Sequence, residues 1–470
     1  MSAASGGSAL HELSAVDLLA AYRGRALSPV EVLRSLLAHI EAWEPHLHAT
    51  YALDADAAFA QAEASQARWL RGAPIGALDG VPVTIKENIA TRGVPIPLGS
   101  AATELVPAAR DAPPAMRLRE AGAVLVCKTT MPDYGMLTSG VSSFHPLTRN
   151  PWDLTKNPGG SSAGAGAAAA AGYGPLHLGT DIGGSVRLPA GWCGVFGLKP
   201  SLGRVPIDPP YAGRVAGPMT RSVADAALMM ATLAQPDARD TMSLPYQPIE
   251  WQRLDRDLRG LRIGLLLDAG WGLAVEPEVR AATLAAARAF EAAGATLTPI
   301  GPFMTRAMVE GIDDFWRTRA WIDIGAMTEA RRARVLPYIT EWARGGAGLS
   351  GERVFRGYSM MGAMRDAAVA ATEPFDVLLS PTAPMPSYAA ELPGPTNDPA
   401  LPFEHIAFTL AFNMSEQPAA SVNAGYTASG LPIGLQVVGH RFDDLGVLQV
   451  ARAWEQLRPA QRPWPVPPAG

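Results

Sequence analysis

Cysteine occurs only twice in the 470 residues, as Cys127 and Cys193, each among apolar neighbours, which argues against a disulfide framework. Lysine is nearly as scarce. Lys86, Lys128, Lys156 and Lys199 stand against 35 arginines, and all four lie between positions 86 and 199. A coding preference for arginine explains most of that imbalance. Even so, arginine does not release its proton whereas a desolvated lysine does, so a lysine kept in this chain is a candidate base. No run of about 18 apolar residues exists, and residues 163–171 are too few and too weakly hydrophobic to span a bilayer. The first ten residues lack the basic segment and apolar stretch of a signal peptide. A formal net charge of −5 provides no electrostatic attraction to nucleic acid or to an anionic membrane. The expectation is a soluble, cytoplasmic protein with no nucleic-acid or membrane partner.

Metal and nucleotide motifs are also missing. His46 and His48 form the one close histidine pair, no HExxH is present, and neither glycine cluster is followed by Gly-Lys-Ser/Thr. No metal and no cofactor are expected.

What is present is concentrated between Asn157 and Pro200. Gly159-Gly160-Ser161-Ser162 opens a small-residue run, and Thr180-Asp181-Ile182-Gly183-Gly184-Ser185 follows within 30 residues. Glycines beside a serine allow positive φ and remove the Cβ that would separate backbone N–H groups from a ligand. Successive N–H groups of this kind form an anion-binding nest. At Ile182, Gly183, Gly184 and Ser185 the nest ends on a hydroxyl, so that a nucleophile adjoins its own oxyanion hole, as acyl transfer requires.

Periodicity places these clusters in an α/β frame. Ser14, with Asp17 three residues on, and Ser28-Pro29-Val30-Glu31 mark helix starts, so residues 1–60 read as packing helices. Residues 81–86 and 123–127 read as buried strands, placing Lys86 at a strand end. Residues 163–171 read as a helix, 175–179 as a strand and 222–233 as a helix. A linker-like stretch over 236–248 leads to a βαβ unit over 261–300. Residues 302–372 look helical and carry Phe315, Trp316, Trp321, Trp342, Phe355, Tyr358, Met360 and Met361.

GGSSAGAG followed by GTDIGGSVRLPAGWCGVFGLKP resembles the signature of the amidase signature family of serine hydrolases, and Gly80-Val81-Pro82-Val83-Thr84-Ile85-Lys86-Glu87-Asn88-Ile89 is similar to its lysine segment. Ser380-Pro381-Thr382-Ala383-Pro384, Phe412-Asn413, Gln417-Pro418-Ala419 and the run from Gly430 to Gln436 are similar to its carboxyl-terminal motifs. Ala163 departs from the pattern, since glycine is commoner there. The resemblance implies one domain over 1–470, with a signature core at 75–235 and a variable substrate-pocket segment at 302–372. It implies a central twisted mixed β-sheet covered by helices on both faces. It also implies a Ser–cisSer–Lys triad, with Lys86 as base, Ser161 as bridge after a cis Gly160–Ser161 peptide, and Ser185 as nucleophile. Thr180, Asp181, Arg187 and Gly160 are expected to support them, Asp181 and Arg187 as a pair bracing the loop.

The implied activity is hydrolysis of a small-molecule amide or carbamate by a monomer or homodimer. The alternative is the glutaminase subunit of a tRNA-dependent amidotransferase. The stretch from Phe412 to Pro418 is more similar to stand-alone amidases. A rival α/β-hydrolase reading rests on Gly160-Ser161-Ser162-Ala163-Gly164 with Ser162 as nucleophile, but residues 156–159 before it are turn-like rather than a strand.

Overall fold

The computed structural model describes residues 9–468. Eleven strands form one sheet: β1 (Thr50–Tyr51), β2 (Pro82–Lys86), β3 (Val124–Thr129), β4 (Leu176–Asp181), β5 (Phe196–Lys199), β6 (Val215–Thr220), β7 (Arg262–Leu266), β8 (Thr296–Ile300), β9 (Val377–Pro381), β10 (Ala419–Tyr426) and β11 (Pro432–Val438). Their order across the sheet is β1-β3-β2-β4-β6-β5-β10-β11-β9-β7-β8. The pairings β3–β2, β2–β4, β9–β7 and β7–β8 are parallel and the remainder antiparallel, so the sheet is mixed.

Both faces are covered. In β9, Val377 and Leu379 join one hydrophobic core while Leu378 joins another, and in β11 Val437 and Val438 divide the same way. Side chains of a strand alternate between faces, so two cores on alternate residues mean helices on each side. This is the expected α/β architecture.

Local chemistry sets most element ends. Ser14 accepts from the Asp17 amide at 3.0 Å to start Ala15–Arg23. Ser28 and Glu31 exchange reciprocal bonds of 3.2 and 2.8 Å to start Pro29–Leu47. The helix Ala163–Ala171 has the bounds read from the sequence, and the βαβ unit read over 261–300 is formed by β7, the helix Pro277–Ala292 and β8. The amino-terminal helices run beyond residue 60, since Ala55–Leu70 completes the set. Strand β4 is longer than read and carries Thr180 and Asp181 inside the sheet. The short helix Arg187–Cys193 was not foreseen; Pro189 and Gly191 hide it from propensity.

Two parallel neighbours, β2 and β4, finish at the same edge, and this brings Lys86 and Asp181 together. The all-buried helix Ala163–Ala171 lies against that edge. At Gly164 a Cβ would lie 2.3 Å from the Ala49 carbonyl oxygen and 2.4 Å from the Thr130 nitrogen. Only a residue without a side chain fits there, because both neighbours are backbone and neither yields easily. Gly164→Ala is therefore expected to cost about 1–3 kcal/mol. Apparent Tm at a fixed scan rate checks this, with an unchanged Tm contradicting the packing account.

Candidate active site

Lys86 is the last residue of β2 and is fully buried. Its Nζ donates to Ser161 Oγ at 2.8 Å and to Ser162 Oγ at 3.1 Å. Among the described residues no carboxylate forms an ion pair with it, whereas nineteen arginines there are paired with carboxylates, from Arg68–Asp79 to Arg452–Glu455. Burial drives its pKa well below the ordinary lysine value, helped by the positive charge of Arg214 and opposed by Asp181 and Glu87. Lys128 and Lys199 are buried too, with pKa values lowered by burial to about 7. Lys128 Nζ donates to Ile89 O and Thr91 Oγ1, and Lys199 Nζ to Pro200 O. Scarcity of lysine thus marks three buried amines, and only at Lys86 are the partners serine hydroxyls.

The Gly160–Ser161 peptide is cis. Ser162 Oγ donates to Thr180 O at 3.1 Å and accepts from the Thr180 amide at 3.2 Å, in addition to its contact with Lys86. A hydroxyl so committed and fully buried does not meet a substrate, which removes the Ser162 nucleophile reading. Its part in holding Lys86 and β4 was not foreseen. Asn88 Nδ2 donates to Thr180 Oγ1 at 3.1 Å and steadies the same corner.

Past β4 the chain turns through Ile182, Gly183, Gly184 and Ser185 into the helix Arg187–Cys193. Gly184 has φ +123°, and a Cβ there would lie 2.6 Å from Thr409 Oγ1, so glycine is required on both counts. Of the four amides expected in the oxyanion hole, that of Gly184 donates to Asp181 Oδ1 at 2.8 Å. The Ile182, Gly183 and Ser185 amides donate to no acceptor among the described residues. Ser185 is partly exposed and lines a pocket. Its hydroxyl makes no hydrogen bond among the described residues, so the structure joins Lys86 to Ser161 but leaves Ser185 unbonded.

Asp181 and Arg187 form the expected pair, wholly out of water. Arg187 Nη2 and Nε reach the two carboxylate oxygens at 3.0 and 3.1 Å. The pair is a hub between distant parts of the chain. Arg187 also donates to Thr409 O, Gln436 Oε1 and Asn413 Oδ1, and Asn413 Nδ2 donates to Asp181 Oδ1 and to Gly213 O. Despite burial, Arg187 and Asn413 hold the Asp181 carboxyl well below the ordinary carboxylate range. Asn413 and Gln436 stood in carboxyl-terminal motifs without an assigned role; their contacts with the loop supply one.

The pocket at Ser185 spans about 540 Å³ including its mouth. Gly135, Met136, Leu137, Thr138, Pro402, Phe403 and Ile406 line it, none of them foreseen. From 302–372 only Trp316 and Arg319 reach it. Met361 and Trp342 belong to the core, Trp321 packs against that core, and Phe355 is 69% exposed. Of the eight aromatic and methionine side chains named in 302–372, only Trp316 lines the pocket. A helix presents a single face to the pocket, and composition does not say which.

With this geometry in place, the family model described as Amidase matches residues 31–448. The chain is 34% identical over 468 residues to an acylamidase from Rhodococcus erythropolis, covering 96% of each protein. It is also 34% identical over 486 residues to a glutamyl-tRNA(Gln) amidotransferase subunit from Myxococcus xanthus, covering 95% of this chain and 97% of that one. Among solved structures it is similar to a bacterial aryl acylamidase of the amidase signature enzymes, with TM-score 0.87 and 30% identity over 96% of this chain and 97% of that one.

Asp181→Asn keeps the shape but leaves Arg187 as a buried unpaired cation, and is expected to cost about 3–5 kcal/mol. Adding Arg187→Met should restore part of that loss, since the two residues act as one unit. Thermal unfolding of both variants checks this; additive losses would mean that the pair is not coupled.

Proposed function

The chain belongs to the amidase family, enzymes that cleave carboxylic amide C–N bonds, and from that premise we propose that it does so through a seryl acyl-enzyme with Lys86, Ser161 and Ser185. The supporting observation is the buried Lys86 amine, bonded to serine hydroxyls and unpaired with any carboxylate among the described residues. A desolvated neutral amine has a lone pair available for a proton. Ser161 gives its hydrogen to Lys86 Nζ and takes one from Ser185 as Ser185 Oγ bonds to the carbonyl carbon. The amides of Ile182, Gly183 and Ser185 receive the negative oxygen of the tetrahedral intermediate. Reversal of the relay places a proton on the leaving nitrogen as the C–N bond breaks. Water then repeats the cycle on the acyl-enzyme, releasing the acid.

The pocket favours a substrate with an apolar body, an aryl or alkyl amide or a carbamate, placed against Trp316, Phe403 and Ile406. The identity to the amidotransferase relative supports a second reading, a glutaminase subunit. That reading fits less well. Among the described lining residues Arg319 is the one charged side chain, and no carboxylate stands there to hold the α-ammonium of free glutamine. A glutaminase assay with gel filtration separates the two readings: ammonia release from glutamine, rather than from anilides, would reverse the preference.

A sulfonyl fluoride is expected to label Ser185, and mass spectrometry of the modified peptide distinguishes it from Ser162.

Lys86→Ala should lower kcat/KM by about 10²–10⁴-fold, the usual worth of a general base. Lys86→Arg should recover little, because arginine keeps the charge but accepts no proton. For the wild type the active form is unprotonated Lys86, so kcat/KM should rise with pH through its pKa and level off. Because that pKa is depressed, the plateau should begin below the ordinary lysine range. Ser161→Ala should be milder than Ser185→Ala, since water replaces a relay better than a nucleophile. A robustly active Lys86→Arg enzyme with an unmoved rising limb would exclude Lys86 as the base.

A further inference from the structure

The two side chains that the helix Arg306–Gly325 sends to the pocket, Trp316 and Arg319, meet the same residue outside it. Tyr211 is not part of the lining. The Arg319 guanidinium lies 4.4 Å from the centre of its ring, a cation on an aromatic face. The Tyr211 hydroxyl is buried, and the Trp316 indole N–H and the Arg319 guanidinium are the donors that approach it, neither in full hydrogen-bond geometry. Trp316 also meets Phe403, which lines the pocket with it, at 85° between rings and 5.4 Å between centroids. The indole is therefore held by two aromatic neighbours, one in the lining and one outside.

Tyr211 is itself tied to the turn that carries Ser185. It lies in the connection between β5 and β6 and begins a turn in which the Arg214 amide donates to the Tyr211 carbonyl at 3.0 Å. Arg214 Nη1 donates to Pro209 O at 3.0 Å, and Ala212 packs against the core that contains Trp316 and Phe403. The Gly213 carbonyl accepts from Asn413 Nδ2 at 3.0 Å, and the same nitrogen donates to Asp181 Oδ1 at 2.9 Å. Asp181 in turn accepts from the Gly184 amide beside Ser185 at 2.8 Å. Contacts thus run from the nucleophile turn through Asp181, Asn413 and Gly213 to Tyr211, and from Tyr211 to Trp316 and Arg319.

A pocket selects by size only if its wall stands at a fixed distance from the nucleophile, and a displacement of about 1 Å costs as much as 10²-fold in rate. The geometry points to Tyr211 as a specificity-determining positioning residue, which holds the Trp316 wall at a set distance from Ser185 and so limits the length of apolar arm that the pocket accepts. This rests on the amide-hydrolase reading above and adds to it a residue outside the lining.

Two substrate series test it, each varying one arm: 4-nitroanilides from acetyl to octanoyl, and acetanilides with para-alkyl groups from methyl to hexyl. Tyr211→Ala should raise the ratio of kcat/KM for the longest member over the shortest by about tenfold in one series, through KM. Tyr211→Phe, which keeps the ring beneath Arg319, should retain most of the wild-type selectivity. Trp316→Ala should move the ratio in the same direction as Tyr211→Ala, and the double variant should move it no further than Trp316→Ala alone, because the two side chains act as one unit. The rising limb of the pH profile should stay in place. Unchanged selectivity in both series, additive shifts in the double variant, a uniform fall in kcat or a displaced rising limb would each overturn the inference. If Tyr211→Ala does not fold, Tyr211→Phe combined with Arg319→Gln decides, since unchanged selectivity there is equally fatal. Calorimetric binding of both series to Ser185→Ala, with and without Tyr211→Ala, is measured in parallel. A length preference in binding that shifts with Tyr211→Ala, without turnover of any member by the wild type, leaves the role of Tyr211 standing and sinks the amide-hydrolase reading.

Discussion

Exclusion of water from one lysine amine is the constraint on which the site depends. In water an ammonium is strongly favoured over the neutral amine near neutral pH. Burial at the end of β2, with hydroxyls as partners, shifts that balance toward the neutral amine. The surroundings are consistent with this at each level. Ser161 and Ser162 provide dipoles without charge, the positive Arg214 opposes protonation, and the small-residue helix Ala163–Ala171 closes over the strand ends.

The second organising element is the buried Asp181–Arg187 pair. A buried ion pair gains little for stability on its own account. Here its value is geometric. Asp181 receives the Gly184 amide, Arg187 reaches Thr409, Asn413 and Gln436, and Asn413 returns to Asp181 and Gly213. Three segments far apart in sequence, at Gly213, at Thr409 and Asn413, and at Gln436, are thereby held around the turn that carries Ser185. One amide of that turn is occupied by the clasp, and three remain for a ligand.

The pocket combines two environments. Buried Phe403, Ile406 and Trp316 line it together with the exposed Arg319. Elements from opposite ends of the sequence meet there, since residues 135–138 and 402–406 face the helix Arg306–Gly325 across it. The pocket lining is accordingly shared between the second glycine–serine cluster and segments outside it.

Much of the framework was legible in the residues alone. Caps at Ser14 and Ser28, alternating β-branched runs and the small-residue stretch 163–171 announce their elements, because each depends on contacts within a few positions. Glycines around Ser161 and Ser185, together with a lysine at a strand end, pointed to the site, and parallel β2 and β4 bring the lysine and the second cluster to one edge. The tertiary structure decided the remainder. It separated Lys86 from the equally buried Lys128 and Lys199, committed Ser162 to β4, recruited Asn413 and Gln436, and turned Trp316 inward and Phe355 outward. Those outcomes depend on which partners long-range packing supplies to a side chain, and partners hundreds of residues away leave no periodic trace in the local sequence.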